Sequence, residues 1–220
     1  MRFHRALALA VVLFMSISSL VAQVNGDAVL QVREDDGGSV IVRGPNGLLN
    51  QSSSLKRKWY AIDDAACTVR LNRTGIYTKF DNTQGTYAFV PVGSLTPKQA
   101  ISAVEVRYIL FDVWGQRIRT LSLTKLADSA TSVDFRDSSA WPAWEPEVSN
   151  LVTVVAFVAR VRTADGAVWT YDKAAMLQQI QTLGVAIAQP DMVPDDQQAV
   201  QTRAIVYWGG AGAPKKPATP

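Results

Sequence analysis

The chain reads as a mainly β protein, an antiparallel sandwich with one short C-terminal helix. Three observations carry that reading. Apolar residues recur at period two between Lys58 and Asp172, short turn-rich loops separate those runs, and helical spacing appears only over Lys173–Leu183.

The first 22 residues divide as an export signal does: basic Arg2 and Arg5, an apolar stretch from Ala6 to Met15, then Ser16-Ile17-Ser18-Ser19 leading to Ala22. Cleavage is expected after Ala22, with a secreted or periplasmic destination. The apolar stretch is shorter than the roughly 20 residues that cross a bilayer, so no membrane span is expected after processing. Residues 23–55 read as a loosely ordered leader, with one hairpin of Val29–Arg33 and Ser39–Arg43 around Asp35-Asp36-Gly37-Gly38. An isolated pair of strands is marginal in water.

The sandwich domain is expected over residues 56–188. Its strand candidates are Trp59–Ile62, Cys67–Leu71, Gly75–Phe80, Thr86–Val90, Ile101–Phe111, Arg117–Leu123, Ser132–Phe135, Leu151–Arg162 and Ala167–Tyr171. In the fifth, Val104, Val106, Tyr108 and Leu110 share one face. Glu105 and Arg107 share the other, so one side is expected to be core and the other wet at its start. Over Leu151–Val161 the inward set is expected to be Leu151, Val155, Phe157, Ala159 and Val161, with Thr153 outward.

Two hairpin tips resemble one another. Asp112 with Gly115, and Asp165 with Gly166, each supply a carboxylate that can accept nearby backbone N–H groups and a glycine that tolerates positive φ. Turn chemistry accounts for all four residues, so they are structural rather than catalytic.

Met176, Leu177, Ile180 and Leu183 place a helix over 173–183, stopped by Gly184 and packed across one end of the sandwich. Residues 189–220 form a polar, mostly disordered tail in which Tyr207-Trp208 either docks back or meets a partner.

Composition narrows the chemistry. The one histidine, His4, falls in the export segment, so a histidine relay or a typical zinc site is not expected, and neither is a metal or cofactor. One cysteine, Cys67, excludes an intramolecular disulfide, and its apolar neighbours suggest an inert buried thiol. The formal charge of +3 is misleading. Of 22 basic residues, two leave with the signal and three lie in the last 18, leaving 17 against 19 acidic ones. No basic patch remains, so no nucleic-acid partner is expected.

Tyr108-Ile109-Leu110-Phe111-Asp112 resembles the F-x-L-Y-D signature of the FxLYD domain family of exported bacterial proteins, with the aromatics exchanged. The resemblance implies an immunoglobulin-like β-sandwich with a structural or adhesive role.

The candidate binding surface is the loop Ser138–Pro146, where two prolines stiffen Trp141 and Trp144. These indoles either plug the end of the sandwich or project from it. Three functions follow: a non-enzymatic binding or structural protein meeting a protein or envelope partner, a carbohydrate-binding module using Trp141, Trp144 and Trp114, and a hydrolase using carboxylates such as Glu145 and Glu147. The last is disfavoured because residues two apart in one loop do not span a sugar cleft.

Overall fold

The computed structural model describes residues 30–34, 43–44, 47–48, 57–81, 85–129, 132–134 and 140–195. Residues 1–29, which include the expected export segment, and the residues after Asp195 lie outside this set. The strands are β1 (Leu30–Glu34), β2 (Arg43–Gly44), β3 (Gly47–Leu48), β4 (Lys58–Asp64), β5 (Val69–Asp81), β6 (Thr86–Pro97), β7 (Ile101–Phe111), β8 (Arg117–Ser129), β9 (Val133–Asp134), β10 (Trp141–Ala143), β11 (Thr153–Thr163) and β12 (Val168–Thr170). Helices α1 (Glu145–Asn150) and α2 (Lys173–Gln181) and a 3-10 turn at Gln189–Met192 complete the order.

Two sheets face each other as a β-sandwich. The larger runs β1-β4-β11-β7-β8, with β12 also on β11; in the smaller, β6 is flanked by β5 on one side and by β10 and β9 on the other. The pairing is antiparallel except between β4 and β11, which run parallel from Thr153↔Lys58 to Phe157↔Ile62. Such a pair needs a long crossover rather than a hairpin, and the whole of β5 to α1 supplies it.

β6 runs through Pro91, beyond the expected end at Val90. β10 covers Tyr87–Phe89 and β9 covers Ser94–Leu95; among the described residues no strand pairs with that edge of β6 at Pro91, where a residue without an N–H is tolerated. The two segments expected around Asn72 form one strand, β5, with an irregularity between Leu71 and Arg73. A Cβ on Gly75 would come 3.1 Å from Val92 Cγ2, tighter than ordinary packing, whereas its 3.9 Å from the Trp59 indole would be a normal contact, so glycine here relieves crowding against Val92 of β6.

Between the sheets lie Trp59, Leu71, Phe89, Tyr108, Leu121 and Val154 among others, all essentially inaccessible. A second core covers the outer face of the larger sheet. Ile62, Ile109, Phe111, Val155 and Phe157 meet Met176, Ile180 and Met192 from the C-terminal segment. The helix therefore lies on the face of the larger sheet, a correction to its expected place across one end. Its start is set by Asp172, whose Oδ1 accepts from Ala174 and Ala175 N–H at 2.8 and 3.0 Å. Its end is set by Gly184 at φ +74.

This third layer changes other expectations. Glu105 and Arg107 are buried, 3% and 9% exposed, so that side of β7 is not wet. On β11, Val155, Phe157 and Ala159 point to the helix while Val154, Ala156 and Val158 point between the sheets. A register shift between Val158 and Arg160 then returns Val161 to the inter-sheet core. Alternation could not assign an inward set because both faces of this strand are buried.

The leader and tail boundaries also move. Leu30–Glu34 joins the larger sheet against β4, from Leu30↔Asp64 to Glu34↔Tyr60, while Ser39–Val42 of the expected hairpin lies outside the described residues. Leu30 and Val32 then pack on the helix-side core, which gives this short strand burial that an isolated hairpin lacks. At the other end, the described residues continue past 188 through the 3-10 turn to Asp195.

Candidate functional site

β7 ends where β8 and β11 begin, because β7 pairs antiparallel with both. The β7–β8 turn and the α1 segment therefore share one end of the sandwich. Val152 N–H donates to Phe111 C=O at 3.0 Å and ties them together.

The turn is built by Asp112. Its Oδ1 accepts from Trp114 N–H and Gln116 N–H, both at 2.8 Å, while Gly115 takes φ +72. Gly115 C=O accepts from Ala186 N–H at 2.8 Å, and a Cβ there would come 3.4 Å from Gly184 C=O. The turn is thus anchored from beneath as well as across. Its tip carries Val113 and Trp114, the indole 81% exposed.

The second projection starts from β10, where Pro142 C=O accepts from Arg119 Nη1 at 2.6 Å. Trp144 N–H donates to Glu147 Oε2 at 2.8 Å, and Val148 N–H returns to Trp144 C=O at 3.1 Å, so Trp144 begins α1. Its indole is 72% exposed. Trp141 is different: it is 6% exposed, opposite Phe89, with its ring 6.2 Å from Tyr108 and tilted by 57°. It plugs the core and offers no platform. Of the three tryptophans the sequence singled out, Trp114 and Trp144 project from one end and Trp141 does not.

The second Asp-Gly tip, Asp165-Gly166, lies at the opposite end, beyond β11. Asp165 accepts from the Thr163 hydroxyl and from Ala167 N–H at 3.3 Å, and Gly166 takes φ +93. Those two donors hold the Asp165 carboxyl below its ordinary value.

Of the two carboxylates considered for a hydrolase, Glu145 is exposed in the first turn of α1. Glu147 starts α1 and lies 3.9 Å from Arg119 Nη1. Burial pushes the Cys67 thiol up to about 11, and its sulfur accepts from Val69 N–H at 3.4 Å. Burial also raises the Tyr108 phenol. Cys67 is accordingly expected to resist a maleimide at pH 8 in the folded protein and to react fully in urea. Mass spectrometry before and after denaturation checks this, and prompt labelling of the native chain would contradict it.

Sequence reasoning missed one cluster. On the helix side of β7, Arg107 Nε donates to Glu105 Oε1 at 2.8 Å. Its Nη1 donates to Tyr171 OH at 2.9 Å and to Met192 C=O at 3.0 Å. Arg160 binds the other oxygen of Glu105. Burial alone would raise the Glu105 carboxyl, but the two guanidinium groups bring it below its ordinary value. The available signal was parity, since Glu105 and Arg107 share a strand face with Ile109 and Phe111. Beside this cluster, Arg117 reaches Asp191 at 3.2 Å and Asp195 at 2.6 Å. Among the described residues, no group of histidine, cysteine and acidic side chains is arranged to hold a metal ion, and no helix is long and apolar enough to cross a membrane.

Comparison with protein-family models, with curated proteins and with solved structures finds no match. The FxLYD likeness rests on Tyr108–Asp112, four buried residues of β7 followed by the turn aspartate.

Proposed function

We propose that this chain is an exported, non-enzymatic binding domain whose recognition surface is the sandwich end bearing Val113, Trp114 and Trp144. One observation carries the reading. Two large indoles stand in water on backbone that is hydrogen-bonded on several sides, where solvation alone would favour burying them. Holding an aromatic side chain on a stiff support lowers the entropy lost on binding, and tryptophans in such positions commonly dominate an interface. The partner class is a protein or a component of the cell envelope, in keeping with the export signal and the FxLYD resemblance.

A carbohydrate module is the second reading, favoured by the same exposed rings, although Trp141 no longer contributes to it. Acrylamide quenching separates the two. Protection of Trp114 and Trp144 by a soluble glycan supports sugar, whereas protection by an envelope protein fraction and by no glycan supports protein recognition.

The double variant Trp114→Ala/Trp144→Ala is expected to weaken retention on the protecting material by at least tenfold, since central indoles commonly carry about 2 kcal/mol or more each. Its melting temperature should hardly move, because neither ring is in the core. Equal retention of variant and parent would refute the surface.

A further inference from the structure

The geometry points to a second interaction surface, the outer edge of β8, completed by this chain's own segment Thr202–Trp208 as an added strand. β8 is the last strand of the larger sheet, and among the described residues only β7 pairs with it. The register with β7 is continuous from Ala103↔Leu126 to Leu110↔Arg119. Thr120 N–H points out of that ladder, because it donates to Asp195 Oδ2 at 2.6 Å. By the two-residue repeat, the N–H and C=O groups of Ser122, Thr124 and Leu126 point out as well. The result is a row of sheet-edge donors and acceptors, the arrangement that accepts a further strand. Leu126 on this edge is 78% exposed.

The occupant is argued from where the chain goes. Asp195 is the last described residue, and its carboxylate holds both Thr120 N–H and Arg117 Nη1, so the chain is delivered to the start of this edge. Another 25 residues follow. They include Thr202-Arg203-Ala204-Ile205-Val206-Tyr207-Trp208, rich in β-branched and aromatic residues and ended by Gly209-Gly210. The six residues between Asp195 and Thr202 reach about 20 Å when extended. Thr120 to Leu126 spans about the same distance in a strand. The linker therefore lets the run pair anywhere along Ser122–Leu126. This surface is independent of the tryptophan end.

Hydrogen exchange read by mass spectrometry tests the proposal on the processed full chain. The expected result is slowed exchange at Ile205–Tyr207 and at Ser122, Thr124 and Leu126, unchanged over a hundredfold dilution. In a chain ending at Gln201, the amides of Ser122, Thr124 and Leu126 should exchange at least tenfold faster while those of β7 keep their protection. Thr124→Pro provides a second arm: it removes an N–H that the β7 ladder does not use, and it should release Ile205–Tyr207. Free exchange at Ile205–Tyr207 in the full chain overturns the proposal. So does protection that disappears on dilution, which would assign the edge to a second copy.

Discussion

A chain ended at Asp172 is expected to lose cooperative folding, although every strand of both sheets is still present. The truncation strips α2 and the 3-10 turn from the outer face of the larger sheet, uncovering Ile62, Ile109, Phe111, Val155 and Phe157. Each is nearly inaccessible in the intact protein, and burying a side chain of this kind contributes about 1.5–3 kcal/mol. The sum is of order 10 kcal/mol, comparable to the entire stability of about 5–15 kcal/mol of a typical domain. Circular dichroism with thermal melting is the measurement. A cooperative melt within a few degrees of the parent would mean that the third layer is decorative. Phe157→Ala is the milder version, expected to cost about 3–5 kcal/mol through the cavity it leaves.

Arg107→Ala is expected to destabilise the protein by about 3 kcal/mol at pH 7, because removing one partner leaves a buried charge poorly compensated. Arg160 remains on Glu105, which keeps the loss toward the low end of that range. The same change frees Tyr171 OH and Met192 C=O from their shared donor. The pH dependence has a definite sign. In the parent, the folded Glu105 carboxyl lies below its ordinary value. Its contribution is therefore present above the unfolded value of about 4.3 and is lost as pH falls through the folded one. In the variant burial is less well opposed, so Glu105 protonates at higher pH and no longer needs the missing cation. The gap in urea midpoints between parent and variant should thus narrow from pH 7 to pH 4. A gap that widens toward acid would contradict this account. Arg107→Lys is expected to rescue only in part, since an ammonium cannot reproduce the guanidinium fork that contacts Glu105 on one side and Tyr171 with Met192 on the other.

Legibility differed along the chain for identifiable reasons. The ends of β7, Ile101 and Phe111, are legible in sequence because Ala100 and Asp112 bracket an apolar-rich run in which Val104, Val106, Tyr108 and Leu110 face one core. The two Asp-Gly turns were equally plain, since their hydrogen bonds are local to four or five residues. α2 was found from Met176 and Ile180, both buried, but the surface beneath it was not, because spacing within a helix says nothing about which sheet face receives it. In sequence β10 and α1 read as one Pro-rich loop, though Pro146 near the start of α1 and Glu147 reaching back to Trp144 N–H are ordinary helix-start features. Trp141 and Trp144 looked equivalent in sequence, three residues apart in that loop. One entered a strand opposite Phe89 and the other a helix start, and only the first was buried.

From its order of residues alone, the chain determines that it is mainly β, where its central strands and two tight turns lie, that one helix follows them, and that no histidine follows His4. These are properties of periodicity, φ tolerance and composition, each readable within a short window. Tertiary structure alone decided that β11 runs parallel to β4, that Leu30–Glu34 belongs to the larger sheet, that Glu105 and Arg107 lie beneath a C-terminal cover, and which tryptophans meet water. Those outcomes depend on contacts between segments tens of residues apart, and burial of a given face is settled by what arrives to cover it.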